Sequence, residues 1–368
     1  MTCDFIDLAN EGVQGLQPYQ PGKPIEELQR ELGLSDVVKL ASNENPLGPP
    51  ASALAAYREA AGQLHLYPDA GGFELKAQLS AALGVEAAQL TLGNGSNDVL
   101  DLLARVFLDS DSSAVFSQYA FIVYPIAVQA AGAKAIVTPA KDWGHDLDAM
   151  AAAIDDRTRL VFIANPNNPT GTWLSESAVR AFMAKVPENV VVVLDEAYCE
   201  YLNEPAYPDS IAMLADYPNL VVTRTFSKAF GLAGLRVGYA ISHPDIADLL
   251  NRVRAPFNVS VPALAAATAA YRDAEYLQRS RELNAAGMAQ LEKGLVALGL
   301  QYIASVGNFI AVEMPAAAMP YYQALLKKGV IVRPVGVYGM PNHLRISIGL
   351  ESENQRCLNA LQEVLSEA

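Results

Sequence analysis

Lys228 lies in the stretch TRTFSKAFGLAGLRVGY, residues 223 to 239. The apolar run Leu220 to Val222 predicts a buried strand. Thr225, Ser227, Gly231, Gly234 and Arg236 surround the lysine as that strand ends. An amine in such a place can condense with an aldehyde, and the hydroxyls with Arg236 can hold an anion beside it. Taken alone, a lysine after a strand is more often a solvated loop residue.

Three further strings supply partners. Residues 190 to 198 read VVVVLDEAY, a strand buried on both faces with Asp195 at its end. A buried carboxylate is costly without a cation. A protonated pyridine nitrogen is such a cation, although a helix cap or an arginine partner explains Asp195 as well. Tyr198 follows closely. Residues 160 to 171 read LVFIANPNNPTG, a strand breaking into a turn that the prolines stiffen around Asn168. Residues 90 to 103 read LTLGNGSNDVLDLL, a strand running through glycines into a helix whose free amides can hold a phosphate. This is neither GxGxxG nor a P-loop. One amine, one anion cradle and one carboxylate for a ring nitrogen are what pyridoxal phosphate requires.

The order of the strings resembles the fold type I, pyridoxal-phosphate-dependent aminotransferases. SNENPLGPP (42 to 50), LYPDAGGFELKAQLS (66 to 80) and VIVRPVGVYGMPNHLRISIG (330 to 349) are similar to the histidinol-phosphate aminotransferase family. The resemblance runs from Tyr19 to Gly349. It implies that Lys228 is the Schiff-base lysine and proton shuttle, and that Asp195 pairs with the pyridine nitrogen. It implies that Asn168 and Tyr198 bond the ring hydroxyl. Gly95, Ser96, Asn97, Thr225, Ser227 and Arg236 are then the phosphate cradle, with Tyr67 reaching the same phosphate from the other subunit of a homodimer. Tyr119 is the expected ring-stacking residue. Here the chain departs from the usual proline-threonine-tyrosine turn and reads FSQYAFIVY.

For the substrate, the resemblance implies that Arg345 takes the carboxylate of glutamate through a bidentate fork. The phosphate of histidinol phosphate would dock on the same arginine, helped by Arg333 and Tyr19. The two arginines sit late in separate strand-like runs flanking a turn-rich loop, so those strands can lie side by side. Asn43 is read as lining the pocket or as a turn residue.

The surrounding elements follow from patterning. Strand-like runs near 89–92, 113–116, 134–138, 159–163, 190–194, 219–224 and 236–241 alternate with helical runs, which predicts an α/β fold with a mostly parallel seven-stranded sheet. The candidate residues fall at the strands' C-terminal ends, where open α/β sheets bind ligands. A long helix is predicted from 262 toward 298. Strands at 308–313, 329–333 and 343–348 with helices predict a small α+β domain. The expected division is a large cofactor-binding domain, 48–259, and a small discontinuous domain, 1–47 with 260–368.

Composition adds bounds. A net charge of −14 argues against nucleic acid and anionic membranes as partners. Cys3, Cys199 and Cys357 have no metal or disulfide spacing, and the N-terminus lacks a signal-peptide pattern, so a cytoplasmic enzyme is expected. Three readings compete. The first is transamination of L-histidinol phosphate with 2-oxoglutarate, and the second is an aromatic amino acid aminotransferase on the same framework. Phosphothreonine decarboxylases share the fold but end in a different protonation step. The third, a cofactor sensor fused to a DNA-binding domain, needs a basic helix-turn-helix segment that the first 45 or so residues do not supply.

Overall fold

The computed structural model describes residues 5–367. Seven strands form one sheet: β1 (Leu90–Gly93), β2 (Ser113–Ser117), β3 (Lys134–Thr138), β4 (Thr158–Ala164), β5 (Val191–Asp195), β6 (Leu220–Thr225) and β7 (Gly238–Ile241). Their order is β1-β7-β6-β5-β4-β2-β3. Neighbours run parallel except β7, which is antiparallel to both β6 and β1. Successive side chains of β5 enter opposite cores. Val192 and Leu194 join Leu220 and Val222 on one face, while Val191 and Val193 join Val221 on the other. Burial on both faces is why these strands read as unbroken apolar runs rather than alternating ones. Each such side chain contributes on the order of 1.5–3 kcal/mol.

Helix α1 (Ser96–Phe107) follows β1, and helix α2 (Val123–Ala130) follows β2. The predicted helix over 262–298 is two helices, α3 (Val261–Arg272) and α4 (Ala274–Ala297). Asp273 divides them. Its side chain accepts from the Tyr276 backbone and from Ser52 Oγ, so it caps α4 instead of continuing α3.

A second sheet holds β8 (Gln301–Ile303), β9 (Phe309–Glu313), β10 (Arg333–Pro334) and β11 (His343–Ser347) in the antiparallel order β8-β9-β11-β10. Its core includes Leu291, Leu295, Ile310, Val312, Leu344 and Leu361. The strand expected over 329–333 is divided. Val330–Ile331 pairs in parallel with Val38–Lys39, and only Arg333–Pro334 joins β11. Pro334 has no N–H to give and is accommodated because β10 is an edge strand. Asp195, Thr225 and Gly93 all fall at one end of the large sheet, because β1, β5 and β6 run in the same direction and β7 starts at that end antiparallel to β1 and β6.

Candidate active site

Lys228 lies in the turn after β6. Gly231, with φ 68°, makes that turn possible, since a Cβ there would collide with the Gly48 carbonyl and the Tyr276 hydroxyl. Lys228 Nζ donates to the Ser42 carbonyl at 3.1 Å and stands 5.7 Å from the Tyr198 ring centroid. Burial first, then the nearby Arg345 guanidinium, pulls its pKa down to about 7. A substantial fraction is therefore free amine at neutral pH, which is the nucleophilic form.

Asp195 is 4% exposed at the end of β5. Its Oδ1 accepts from Thr223 Oγ1 at 2.8 Å, and its Oδ2 accepts from Tyr124 Oη at 2.8 Å. Thr223 is its register partner on β6, and Tyr124 reaches in from α2. Burial raises the carboxyl pKa, while the hydrogen bonds from Thr223 and Tyr124 oppose the rise. The alternative of an arginine partner is taken by the next residue, because Arg224 binds Glu196 Oε2 through Nε at 3.0 Å and a terminal nitrogen at 2.8 Å. Asp195 thus has two neutral donors and, among the described residues, no ion-pair partner.

The glycine-rich turn before α1 forms an anion cradle. Gly95 has φ 80°, and a Cβ on it would strike the Arg236 guanidinium. Arg236 also donates to Ser227 Oγ at 3.1 Å, and the Ser227 amide donates to Thr225 Oγ1. The first amides of α1, a twelve-residue helix, have no intrahelical acceptor and face negative charge favourably.

The opposite wall comes from β10, β11 and the segment 41–45. Arg333 and Arg345 are directly opposed residues of adjacent strands. Arg345 donates to Asn168 Oδ1 at 2.5 Å and to the Ala41 carbonyl at 2.7 Å, while its buried Nε has no partner among the described residues. Arg333 donates to the Gln20 carbonyl at 2.6 Å and lies 5.8 Å over the Tyr19 ring. Asn43 is not a plain turn residue. It is 1% exposed with φ 54°, and its Nδ2 donates to Tyr198 Oη at 3.0 Å.

Of the residues expected from sequence, all but Gly95, Tyr67 and Tyr119 line one cavity. Gly95 sits behind its wall, against Arg236. Tyr67 is 83% exposed and stacks on Phe257 at 4.6 Å, away from the cavity of its own chain. Tyr119 is the wrong aromatic for that wall. It packs near Trp143, centroids 5.2 Å apart, against Ile303, Tyr338 and Met340. Phe121 takes the wall instead, edge-on to Tyr124. The FSQYAFIVY turn carries the chain two residues further before the side chain faces inward. Tyr124, Thr223 and Ser347 were missed. The signal for Tyr124 was a tyrosine in the apolar helical run VYPIAVQA, since a buried phenol needs a partner.

The family described as aminotransferase class I and II matches residues 35–361. A histidinol-phosphate aminotransferase 2 of Pseudomonas fluorescens (strain Pf0-1) is 60% identical over 368 residues, the whole of both chains. A histidinol-phosphate aminotransferase 1 of Nitrosococcus oceani is 57% identical over 99% of this chain and 98% of its own. Among solved structures, histidinol-phosphate aminotransferase from Sinorhizobium meliloti, in complex with pyridoxal-5'-phosphate, superposes with a TM-score of 0.90 at 32% identity, covering 97% of each chain.

Proposed function

Because this chain belongs to the aminotransferase class I and II family, we propose that it binds pyridoxal 5'-phosphate and transfers the amino group of L-histidinol phosphate to 2-oxoglutarate, giving imidazole acetol phosphate and L-glutamate. The reaction belongs to histidine biosynthesis. What supports the reading most is one cavity that joins Lys228, Asp195 and Arg236 to the opposed pair Arg333 and Arg345.

The residues fit the cofactor on their own chemistry. A buried carboxylate with only neutral donors calls for a cation, a cradle of amides and Arg236 calls for an anion, and a lysine near neutrality calls for an electrophile. When bound, the cofactor supplies an aldehyde that captures amines and a ring that accepts an electron pair. Arg236, Ser227, Thr225 and the amides of Ser96 and Asn97 would hold its phosphate. Asp195 would hold the ring nitrogen in its protonated form, positioned by Tyr124 and Thr223. Asn168 and Tyr198 would donate to the ring hydroxyl oxygen, and Phe121 would cover a ring face. Lys228 Nζ would take the α-proton from the amino donor. Arg345 would grip a carboxylate or a phosphate, and Arg333 would add donors for the phosphate.

The reading extends to a homodimer in the cytoplasm. Tyr67, exposed and far from its own cavity, would reach the phosphate of a second copy. The division into residues 48–259 and 1–47 with 260–368 is part of the same proposal, supported by the pairing of Val38–Lys39 with Val330–Ile331. Among the described residues no helix is long and apolar enough to cross a membrane.

The test is a single-turnover half-reaction. The cofactor-loaded protein is mixed with L-histidinol phosphate, or with phenylalanine or tyrosine, and loss of the visible band is followed. Faster loss with L-histidinol phosphate is expected. Faster loss with phenylalanine or tyrosine would replace this reading with the aromatic one.

A further inference from the structure

We propose that Ser347 and Asn43 are positioning residues that turn the Tyr198 hydroxyl into a hydrogen-bond donor toward the ring oxygen of the cofactor. This rests on the cofactor reading above and gives Asn43 and Ser347 a role that is exerted through Tyr198. The Asn43 backbone N–H donates to Ser347 Oγ at 2.8 Å. Ser347 Oγ therefore accepts at that contact, and its own single proton needs another acceptor. Asn43 Oδ1, at 3.0 Å, takes it. With Oδ1 so occupied, the Asn43 side chain must aim Nδ2 at Tyr198, and it does so at 3.0 Å. Tyr198 Oη then accepts from Asn43, which leaves its proton free for a different acceptor. The cavity that Tyr198 lines is where that acceptor would lie.

Each link is held from outside. Asn43 adopts φ 54°, a left-handed conformation that asparagine tolerates better than most residues. Its carbonyl accepts from Asn308 Nδ2 at 3.0 Å. Ser347 and Arg345 stand two positions apart on β11, so they share one face of the strand. Arg345 holds the Ala41 carbonyl and Ser347 holds Asn43, so β11 clamps the segment at both residues. The carbonyl between them, that of Ser42, takes Lys228 Nζ. Asn43, Tyr198 and Ser347 are each at most 3% exposed, so water does not compete for these bonds. The donation from Asn43 opposes the rise that burial imposes on the Tyr198 pKa. The ionisable groups bearing on Tyr198 are Arg345 from the second sheet, Tyr338 from the turn between β10 and β11, Asp195 from β5, and Lys228. Substituting Ser347 changes the charge of none of them.

A donor at the ring oxygen stabilises negative charge there and weakens the hold on a proton shared with the neighbouring lysine nitrogen. Ser347→Ala frees the Asn43 amide to rotate, so Oδ1 can take the Tyr198 proton and withdraw it from the cofactor. The readout is the pH midpoint of the visible band of the cofactor-loaded protein, measured in wild type, Ser347→Ala, Tyr198→Phe and the double variant. Ser347→Ala is expected to raise the midpoint by about one unit, a tenfold change in proton affinity. In the Tyr198→Phe background the same substitution should have almost no further effect, because the donor it orients is gone. An unmoved midpoint in Ser347→Ala, or an equal rise with and without the Tyr198 hydroxyl, overturns the relay while leaving the cofactor assignment standing. A wild-type protein that gives no visible band overturns both. Should Ser347→Ala fail to fold, Ser347→Cys keeps the shape and the charge but weakens both bonds to Asn43. Its smaller rise must likewise vanish when residue 198 is Phe.

Discussion

Replacing Arg333 with alanine should separate the two substrates. Arg345 has already committed two of its nitrogens, to Asn168 and to the Ala41 carbonyl, and among the described residues only its Nε lacks a partner. A carboxylate can be served by small adjustments there. A phosphate, with more charge and three acceptor oxygens, needs more donors, and Arg333 on the opposed strand is their nearest source. One nitrogen of Arg333 holds the Gln20 carbonyl, which leaves others for a ligand. A charge-assisted hydrogen bond is worth about 1.5–3 kcal/mol, which is about 10- to 150-fold in affinity. Arg333 is only half-buried, so solvent screening favours the lower end, about tenfold. Its contact with the Tyr19 ring adds about 0.5–1 kcal/mol to holding both residues in place. Initial rates of the forward reaction with L-histidinol phosphate and of the reverse with L-glutamate give the two KM values. Arg333→Ala should raise the first about tenfold and the second far less. Arg333 lies on a two-residue edge strand outside the core, so the thermal midpoint should barely move. An equal rise in both KM values, or none for L-histidinol phosphate, would show that the phosphate is held elsewhere.

Three further outcomes are expected. Asp195→Asn should fold normally, since the Thr223 and Tyr124 hydroxyls can donate or accept, yet bind cofactor at least about tenfold more weakly and turn over far more slowly; spectral titration and kcat check this, and near wild-type values would refute the pairing. Lys228→Met should stabilise the cofactor-free protein more at pH 6 than at pH 10. The folded-state pKa of Lys228, about 7, lies below its unfolded value, so the unfolded chain binds the extra proton between those values and wild-type stability rises with pH across that window; urea melts showing a pH-independent gain would contradict it. Tyr67→Phe and Lys228→Ala proteins, each impaired alone, should regain activity when mixed and refolded together, because a mixed dimer carries one intact site; no recovery would place Tyr67 outside the neighbour's cavity.

Much of this site was legible because strand ends advertise themselves. The runs before Asp195, Asn168 and Lys228 are apolar on both faces, and the polar residues that follow within a few positions gather where the strands end. Arg333 and Arg345 could be anticipated as neighbours because both lie in strand-like runs around one loop. What escaped the sequence was lateral. Nothing in FSQYAFIVY tells how far the turn after β2 travels, so the pattern points to Tyr119 while Phe121 lines the cavity. The polar partners of buried groups escaped for the same reason. Tyr124 reaches Asp195 across 71 positions and Ser347 reaches Asn43 across 304, and local pattern carries no information over such separations. Asp273 was overlooked as a helix divider because alanine-rich helical patterning continues on both sides of it. Residues 329–333 read as one strand because pattern cannot reveal that two different partners claim the halves of this segment.

The central claim is that Lys228 is the amine to which the cofactor is joined in this cavity. Borohydride reduction of the cofactor-loaded protein, followed by digestion and peptide mass mapping, tests it directly. A single modified peptide is expected, the one containing Lys228, and none in Lys228→Ala. Stoichiometric modification of any other lysine, or a modified peptide that persists in Lys228→Ala, would contradict it.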